Sequence, residues 1–202
     1  YSFHETKNVI SGEGGALLVN DLDLSSRSEI IREKGTDRSR FFRGEVDKYT
    51  WQDTGSSFLP GELVAAFLWA QLEEADAITA RRLKIWNRYH SAFAEIEKRG
   101  LARRPIIPDG CSHNAHMYYL LLRNKKDRTA LIKAMQQTGI STVFHYVPLH
   151  SAPHGLKVGR TAGALTVTNE LADRLVRLPL WVGLEQQQEY VIDSVERFLY
   201  GR

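Results

Sequence analysis

The sequence predicts a mixed α/β chain that a long helical stretch divides into two parts. Residues 60–99 carry apolar side chains at intervals of three and four, which predicts one long helix or two helices with a bend. Beyond Gly100 the pattern changes to short strands alternating with helices, which is typical of a small α+β domain. A continuous helix of this length would measure on the order of 60 Å, so we expect it to link two domains or to kink. The expected domains are residues 1–80 and 81–202, with the join within residues 75–84.

Short β-prone runs open the chain. Residues 3–10 and 16–20 favour extended structure, and the glycine-rich segment 11–15 between them predicts a tight antiparallel turn. This segment lacks the G-x-G-x-x-G spacing, and no helix follows it directly, so we interpret it as a turn rather than a phosphate-binding loop.

A short helix and a long polar stretch come next. Asp23 or Ser25 is the expected N-cap of a helix that runs to about Lys34 and that Gly35 ends. Residues 38–57 show little periodicity, and a loop of this length inside a compact domain is more often functional than idle.

The second half alternates between strand and helix patterns. The expected elements are a strand over 117–123, a helix over 127–138 that Asp127 caps and Gly139 ends, a strand over 141–146, a helix over 169–175, an extended piece over 178–180 and a terminal amphipathic helix over 185–200.

Composition limits the possible classes of protein. The chain has 202 residues, of which 43% are hydrophobic and 25% charged, as in ordinary globular proteins. Cys111 is the only cysteine, so no internal disulfide can form and a reducing, cytoplasmic location fits. No apolar run approaches the length of a membrane-spanning helix, so we expect no membrane association.

Positive charge is concentrated in residues 32–43, although the net charge of the chain is only +3. Two interpretations stay open, a surface that binds an anionic small molecule and a solvated basic loop. Nucleic acid is the weaker candidate partner, because no nucleic-acid-binding motif accompanies the charge.

Lys7 is the first candidate for chemistry. A lysine amine forms Schiff bases with carbonyl compounds, including pyridoxal phosphate, when its surroundings lower its pKa. Ser2 lies five residues earlier and could bind a phosphate group while the amine reaches the aldehyde. Most lysines are surface residues, however, so this spacing alone does not establish a site.

The histidines His145, His150 and His154 suggest a metal site, but their context argues against one. Their spacing does not place the imidazoles on one face of a helix, and Pro148 and Pro153 make the run an extended loop. We therefore expect no metal ligands in this chain.

Several motifs resemble one enzyme family. The run SFHETKN at residues 2–8, followed by GEGG at 12–15, resembles the cofactor-lysine motif of the DegT/DnrJ/EryC1/StrS family, sugar aminotransferases that act on nucleotide-linked keto sugars. Segments 53–60, 144–151 and 177–180 are similar too, so the resemblance covers essentially the whole chain.

The segment 32–51 most resembles one branch of that family, the dTDP-4-amino-4,6-dideoxygalactose transaminases of enterobacterial common antigen synthesis. The resemblance implies conversion of dTDP-4-keto-6-deoxyglucose to dTDP-4-amino-4,6-dideoxygalactose, with glutamate as the amino donor. It also implies the aspartate aminotransferase-like fold of pyridoxal phosphate enzymes, fold type I. This chain would be the C-terminal half, with the remainder of the large domain and the small α+β domain.

The resemblance also implies roles for individual residues. Lys7 would hold the pyridoxal phosphate, Ser2 would contact its phosphate group, and Asn8 would have a supporting role. Family members are homodimers with shared active sites, and Ser56 and Ser57 align with a stretch that reaches the cofactor phosphate of the neighbouring subunit. Many relatives carry an asparagine there, which leaves the assignment of these two serines open.

Two groups of residues are expected at the nucleotide-sugar substrate. Guanidinium groups pair with phosphate in a bidentate manner, which favours a role at the diphosphate. The run around residue 145 resembles a family segment near the substrate, although ordinary loop packing is an equally open interpretation. The expected residues are Arg38, Arg40, Arg43, His145, Tyr146 and His150.

Other functions of the same fold are also possible. The family's partner for the pyridine nitrogen, its ring-stacking residue and its second phosphate loop precede the lysine, so we expect this chain alone to be inactive. A binding or regulatory relative is the alternative, and the presence of Lys7 argues against it. Sugar dehydration is disfavoured, because family dehydratases carry histidine in place of the lysine.

Overall fold

A computed structural model describes residues 1–201 and divides the chain into two compact units, Tyr1–Ala75 and the residues from Asp76 onward. The first unit contains α1 (Leu22–Arg32), α2 (Arg38–Phe42) and α3 (Glu62–Glu73). The second unit holds a four-stranded sheet and the remaining helices. No helix within residues 1–201 has the length and apolar character needed to cross a bilayer.

The N-terminal segment folds back on itself, but not at the predicted glycine turn. Backbone bonds join Phe3 N to Gly14 O at 2.9 Å and Glu5 N to Gly12 O at 2.8 Å, so the chain reverses between them. His4 starts this reversal, because its carbonyl accepts from Lys7 N at 2.9 Å. The prediction of strands over 3–10 and 16–20 is therefore wrong, and the glycines lie in the returning arm.

Helix α1 begins earlier than the sequence suggested. The Asp21 carboxylate accepts from the backbone of Asp23 at 2.9 Å and of Leu24 at 3.1 Å, so Asp21 is the N-cap rather than Asp23 or Ser25. The helix ends at Arg32, and Gly35 follows with a φ of 76°.

The predicted long helix consists of three separate helices. They are α3, α4 (Ala75–Ala92) and α5 (Ala94–Lys98), and Glu74 and Phe93 interrupt them. Helix α3 contains no buried residue, whereas α4 buries Arg82, Ile85, Trp86 and Tyr89.

The sheet of the second unit is antiparallel throughout, with strand order β1-β2-β4-β3. After α5, the strands and helices of the second unit follow in chain order: β1 (Ala102–Arg103), β2 (Tyr118–Leu122), α6 (Lys125–Gln137), β3 (Val143–Phe144), α7 (Gly155–Val158), α8 (Thr166–Arg174), β4 (Leu175–Leu178) and α9 (Gln188–Tyr200). Short 3-10 turns at Leu149–Ser151 and Leu184–Gln186 complete the unit.

Several predictions for the second unit are confirmed and others are wrong. Strand β2, helix α6 and helix α9 lie where the patterns predicted them. Asn124 caps α6, however, because its side chain accepts from Asp127 N at 2.9 Å. Strand β3 has only two residues of the predicted 141–146, and β4 overlaps the predicted extended piece at 178–180 only at Leu178.

Large aromatic side chains form the centre of the core. Tyr89, Phe93 and Tyr118 are completely buried, and the ring centroids of Tyr89 and Tyr118 lie 5.2 Å apart. The Tyr89 hydroxyl donates to Pro179 O at 3.0 Å, whereas the Tyr118 hydroxyl has no hydrogen-bond partner within residues 1–201. Burial raises the pKa of both phenols.

These two tyrosines should respond oppositely to loss of the hydroxyl. Tyr89→Phe should lower the free energy of unfolding by about 1 kcal/mol, because it removes a buried hydrogen bond. Tyr118→Phe should be neutral or stabilising, because it removes a buried polar atom that has no partner. Urea unfolding of both variants measures the change in the free energy of unfolding. An equal decrease in the two variants would contradict the assignment of a hydrogen bond to Tyr89 and of none to Tyr118.

Candidate functional site

Lys7 lies in the tight reversal of the N-terminal segment. His4 shapes the turn, since its Nδ1 accepts from Thr6 N at 3.2 Å and lies 3.0 Å from the Thr6 hydroxyl. The Lys7 side chain is half-buried, and its amine has no ion pair or hydrogen bond within residues 1–201. An amine held on a fixed turn without a carboxylate partner remains available for reaction.

Ser2 lies in the paired arms of the same segment, where it bridges Gly15. Its side chain is exposed, and its hydroxyl oxygen lies 3.5 Å from His4 N. The arms approach closely, because a Cβ on Gly15 would lie 2.9 Å from Tyr1 O. Ser2 and Lys7 thus lie in one hydrogen-bonded segment, and their roles as phosphate contact and cofactor attachment stay predictions. Asn8 follows directly and is half-buried.

Ser56 and Ser57 lie in a segment that packs against the end of α1. Ser56 N donates to Ile31 O at 3.0 Å, and Ser56 O accepts from Lys34 N at 3.0 Å. Ser57 forms an isolated bridge with Glu33. These backbone bonds fix the segment, while both serine side chains stay exposed and able to donate hydrogen bonds.

Two glycines allow this close approach. A Cβ on Gly35 would lie 1.8 Å from Asp53 O, and a Cβ on Gly55 would lie 2.1 Å from Gly35 N. The buried Asp37 carboxylate fixes the same loop by accepting from Thr50 N at 2.6 Å. Sequence reasoning missed this network, and the only signal for it was the spacing of glycines around a long polar stretch.

The three predicted phosphate-binding arginines already have carboxylate partners. Arg40 lies 3.2 Å from Glu45, and Arg43 lies 2.6 Å from Glu45 and 3.0 Å from Glu29. Hydrogen bonds from Arg43, and secondly from Arg40, lower the pKa of Glu45. Arg38 pairs with Glu33 at 3.3 Å. A diphosphate would have to compete with these carboxylates for the guanidinium groups.

Residues around position 145 line a cavity of about 470 Å³ in the second unit. His145 and Tyr146 line it, together with Asn169 from α8. His150 does not line the cavity, but its Nε2 lies 2.9 Å from Asn169 Oδ1. The second unit thus brings the three predicted residues near one cavity. Lys125, Arg128 and Asp173 also line it, and Lys125 pairs with Asp173 at 3.0 Å.

His145 is electrostatically unusual within this group. Burial, and secondly the positive charge of Arg177, lower the pKa of its imidazole. Its Nδ1 atom is buried and has no partner within residues 1–201. Among the described residues 1–201, no group of three or more His, Cys, Asp or Glu side chains could hold a metal ion.

Comparison with known proteins identifies the family. The family model of the DegT/DnrJ/EryC1/StrS aminotransferases matches residues 1–196, so the chain belongs to this family. The spore coat polysaccharide biosynthesis protein SpsC of Bacillus subtilis (strain 168) is 28% identical, over 100% of this chain and 53% of its own. The dTDP-3-amino-3,4,6-trideoxy-alpha-D-glucose transaminase of Micromonospora megalomicea subsp. nigra is also 28% identical, over 100% of this chain and 52% of its own.

A solved structure confirms the predicted fold class. The crystal structure of a DegT DnrJ EryC1 StrS aminotransferase from Brucella abortus matches with a TM-score of 0.81 and 26% identity, covering 98% of this chain and 49% of that one. The chain therefore has the α/β fold of pyridoxal phosphate-dependent transferases of fold type I, and it spans about half the length of the relatives it matches.

Alanine substitution of two glycines tests the packing that positions Ser56 and Ser57. Gly35→Ala should lower the free energy of unfolding of the first unit by about 3 kcal/mol or more, through strained backbone and overlap with Asp53 O. Gly44→Ala is the matched control, because Gly44 has a similar φ of 74° and open space around it. It should cost only about 1 kcal/mol. Hydrogen exchange of residues 50–58 measures both effects, and equal protection in the two variants would contradict the close contact.

The imidazole of His145 provides a second test. Arg177→Gln should raise the pKa of His145 towards its ordinary value, because the nearby positive charge is removed while burial remains. An NMR titration of the ring protons, assigned by their loss in His145→Gln, measures the shift. An unchanged pKa would place Arg177 too far away to act on this histidine.

Proposed function

We propose that this chain supplies the lysine-bearing half of a pyridoxal phosphate-dependent aminotransferase that acts on a nucleotide-linked keto sugar. The observation that carries the proposal is the Lys7 amine, which has no partner within residues 1–201 and lies on a hydrogen-bonded turn, in a run that resembles the family's cofactor-lysine motif. The exposed Ser2 hydroxyl in the same segment supports it, because a phosphate group needs hydrogen-bond donors near the attached aldehyde.

Each residue of the motif has a separate task in this proposal. Bound pyridoxal phosphate would supply an aldehyde for the amine and a ring that withdraws electrons from the carbon that loses a proton. Lys7 holds the cofactor and, once released, carries a proton between the amine-bearing carbon of the substrate and the cofactor's own carbon. Ser2 donates to the phosphate, and Asn8 supports the turn. Ser56 and Ser57 offer hydroxyl donors for the cofactor phosphate of a partner subunit in a homodimer.

The proposed substrate is a dTDP-linked 4-keto-6-deoxy sugar, and glutamate is the proposed amino donor. The product would be dTDP-4-amino-4,6-dideoxygalactose, because segment 32–51 resembles that branch. The naming of a related transaminase after a dTDP-amino sugar supports the substrate class. The diphosphate would have to displace a carboxylate from the guanidinium group that it binds. The carboxylate is that of Glu33 at Arg38, Glu45 at Arg40 and Glu29 at Arg43. His145, Tyr146 and His150 are the proposed contacts of the sugar.

Activity in this proposal also needs residues that the chain does not contain. The chain spans about half the length of its relatives, and the first unit exposes the apolar side chains of α3, including Leu63, Phe67 and Trp69. Exposure of neighbouring apolar side chains to water is unfavourable, so this surface of α3 is suited to contact with further polypeptide. We therefore propose that the longer protein is the active species. A regulatory relative without transaminase activity remains the second hypothesis.

Borohydride reduction distinguishes the two hypotheses. Reduction of the longer protein with pyridoxal phosphate should attach the cofactor irreversibly to the peptide that contains Lys7, as peptide mass mapping would detect. Lys7→Ala should abolish this labelling and lower transamination by at least about 10²- to 10⁴-fold, because proton transfer is lost.

Lys48→Arg is the matched control, since Lys48 is an exposed lysine of the same unit. It should retain both labelling and activity. Labelling that spreads over many lysines and persists in Lys7→Ala would reject Lys7 as the cofactor residue.

A further inference from the structure

Arg177 is unlike the other buried arginines of the chain. Within residues 1–201, six arginine side chains are at least partly buried, and five of them have hydrogen-bond or ion-pair partners. Those five are Arg38, Arg82, Arg104, Arg128 and Arg174. Arg177 has no such partner within residues 1–201, and its Nε atom is buried.

The backbone around Arg177 is rigidly placed. Strand β4 is an inner strand, and Arg177 is flanked by Tyr119 of β2 and Val143 of β3. Side chains directly opposite each other project from the same face of a sheet, so Arg177 and Val143 share a face. His145 follows Val143 by two residues, and the positive charge of Arg177 contributes to lowering the pKa of its imidazole.

His145 has an unsatisfied donor or acceptor of its own. Its Nδ1 is buried, so within residues 1–201 both this atom and Arg177 Nε lack a hydrogen-bond partner. A buried guanidinium N–H without an acceptor is costly, as is a buried imidazole nitrogen without a hydrogen bond. One acceptor carrying negative charge would satisfy both.

We propose that Arg177 and His145 form an oxyanion site that holds a carboxylate or phosphate group of one of the two substrates. The proposal rests on the proposed function, which supplies a carboxylate from the amino donor and a diphosphate from the nucleotide sugar. The planar guanidinium offers Nε–H and one Nη–H side by side, which matches two oxygens of such a group. The imidazole donates a third hydrogen bond when its proton is on Nδ1.

The occupant is an anion rather than a neutral polar molecule. A guanidinium group carries a positive charge, and Arg177 has no ion pair within residues 1–201 that neutralises it. The fully partnered Arg174, three residues earlier, shows the usual arrangement, with bonds to Leu122 O and Glu170. A bound oxyanion would give Arg177 the partners that Arg174 obtains from the protein.

NMR titration of the full chain labelled with [15N]arginine tests the site directly. The Nε–Hε resonance of Arg177, identified by its loss in Arg177→Lys, should shift saturably with L-glutamate or with inorganic pyrophosphate. Saturation with glutamate assigns the site to the carboxylate of the donor, and saturation with pyrophosphate assigns it to the diphosphate. His145→Gln should weaken the titration by about 10-fold, the effect of one hydrogen bond to a charged group.

Sodium chloride at equal ionic strength and the variant Arg123→Gln are the controls. Arg123 is exposed and paired with Asp127, so its replacement should leave the titration unchanged. If the Nε–Hε resonance of Arg177 shifts equally with sodium chloride at the same ionic strength, the proposed oxyanion site is rejected. The readout needs no cofactor and no turnover, so its failure leaves the Lys7 labelling result untouched, and failure of Lys7 labelling leaves the anion titration untouched.

Kinetics of the longer protein add a second readout. Arg177→Gln should raise the KM of the substrate that saturates the resonance by about 10- to 100-fold, because a charge-assisted pair is lost. The KM of the other substrate should stay unchanged, and Arg177→Lys should recover part of the loss. An equal rise in both KM values would indicate a general structural effect and contradict the proposal.

Discussion

Close approach of two backbone segments at Gly35 joins the end of α1 to residues 50–58 in the first unit. No apolar side chain of residues 1–75 is buried, so this unit has no hydrophobic core of its own within the described chain. Order comes instead from backbone hydrogen bonds between the end of α1 and residues 50–58, and from the buried Asp37 carboxylate. Because the contact admits no Cβ at Gly35 or Gly55, the placement of Ser56 and Ser57 depends on two glycines.

The second unit is stabilised in a different way. Helix α4, the sheet and α9 enclose aromatic and aliphatic side chains that are almost fully buried, with Tyr89 and Tyr118 at the centre. Such packing fixes backbone positions closely, which is what a binding site for a charged group needs. Arg177 lies on an inner strand of this sheet, so its backbone is placed by strand pairing on both sides rather than by a loop.

The two candidate sites, the Lys7 turn and the Arg177–His145 pair, offer different chemical groups. The Lys7 turn offers a reactive amine and a hydroxyl, and the chemistry of a transaminase also requires a partner for the cofactor ring. Arg177 Nε and His145 Nδ1 are buried without a hydrogen-bond partner in the part of the chain that the structure describes, residues 1–201. The chain spans about half the length of the relatives it matches.

Local sequence signals predicted several elements of the second unit and a candidate cofactor residue, Lys7, whose role stays a prediction. The apolar periodicity of α9 and the continuous apolar run of β2 were sufficient, because those elements bury one face or both. The motif around Lys7 was visible because its residues are adjacent in sequence. Tertiary structure alone decided that the chain reverses before the glycines, that Gly35 meets Asp53, and that no carboxylate of residues 1–201 pairs with Arg177. Those facts depend on which distant atoms meet, and a sequence pattern of one segment carries no information about its partner.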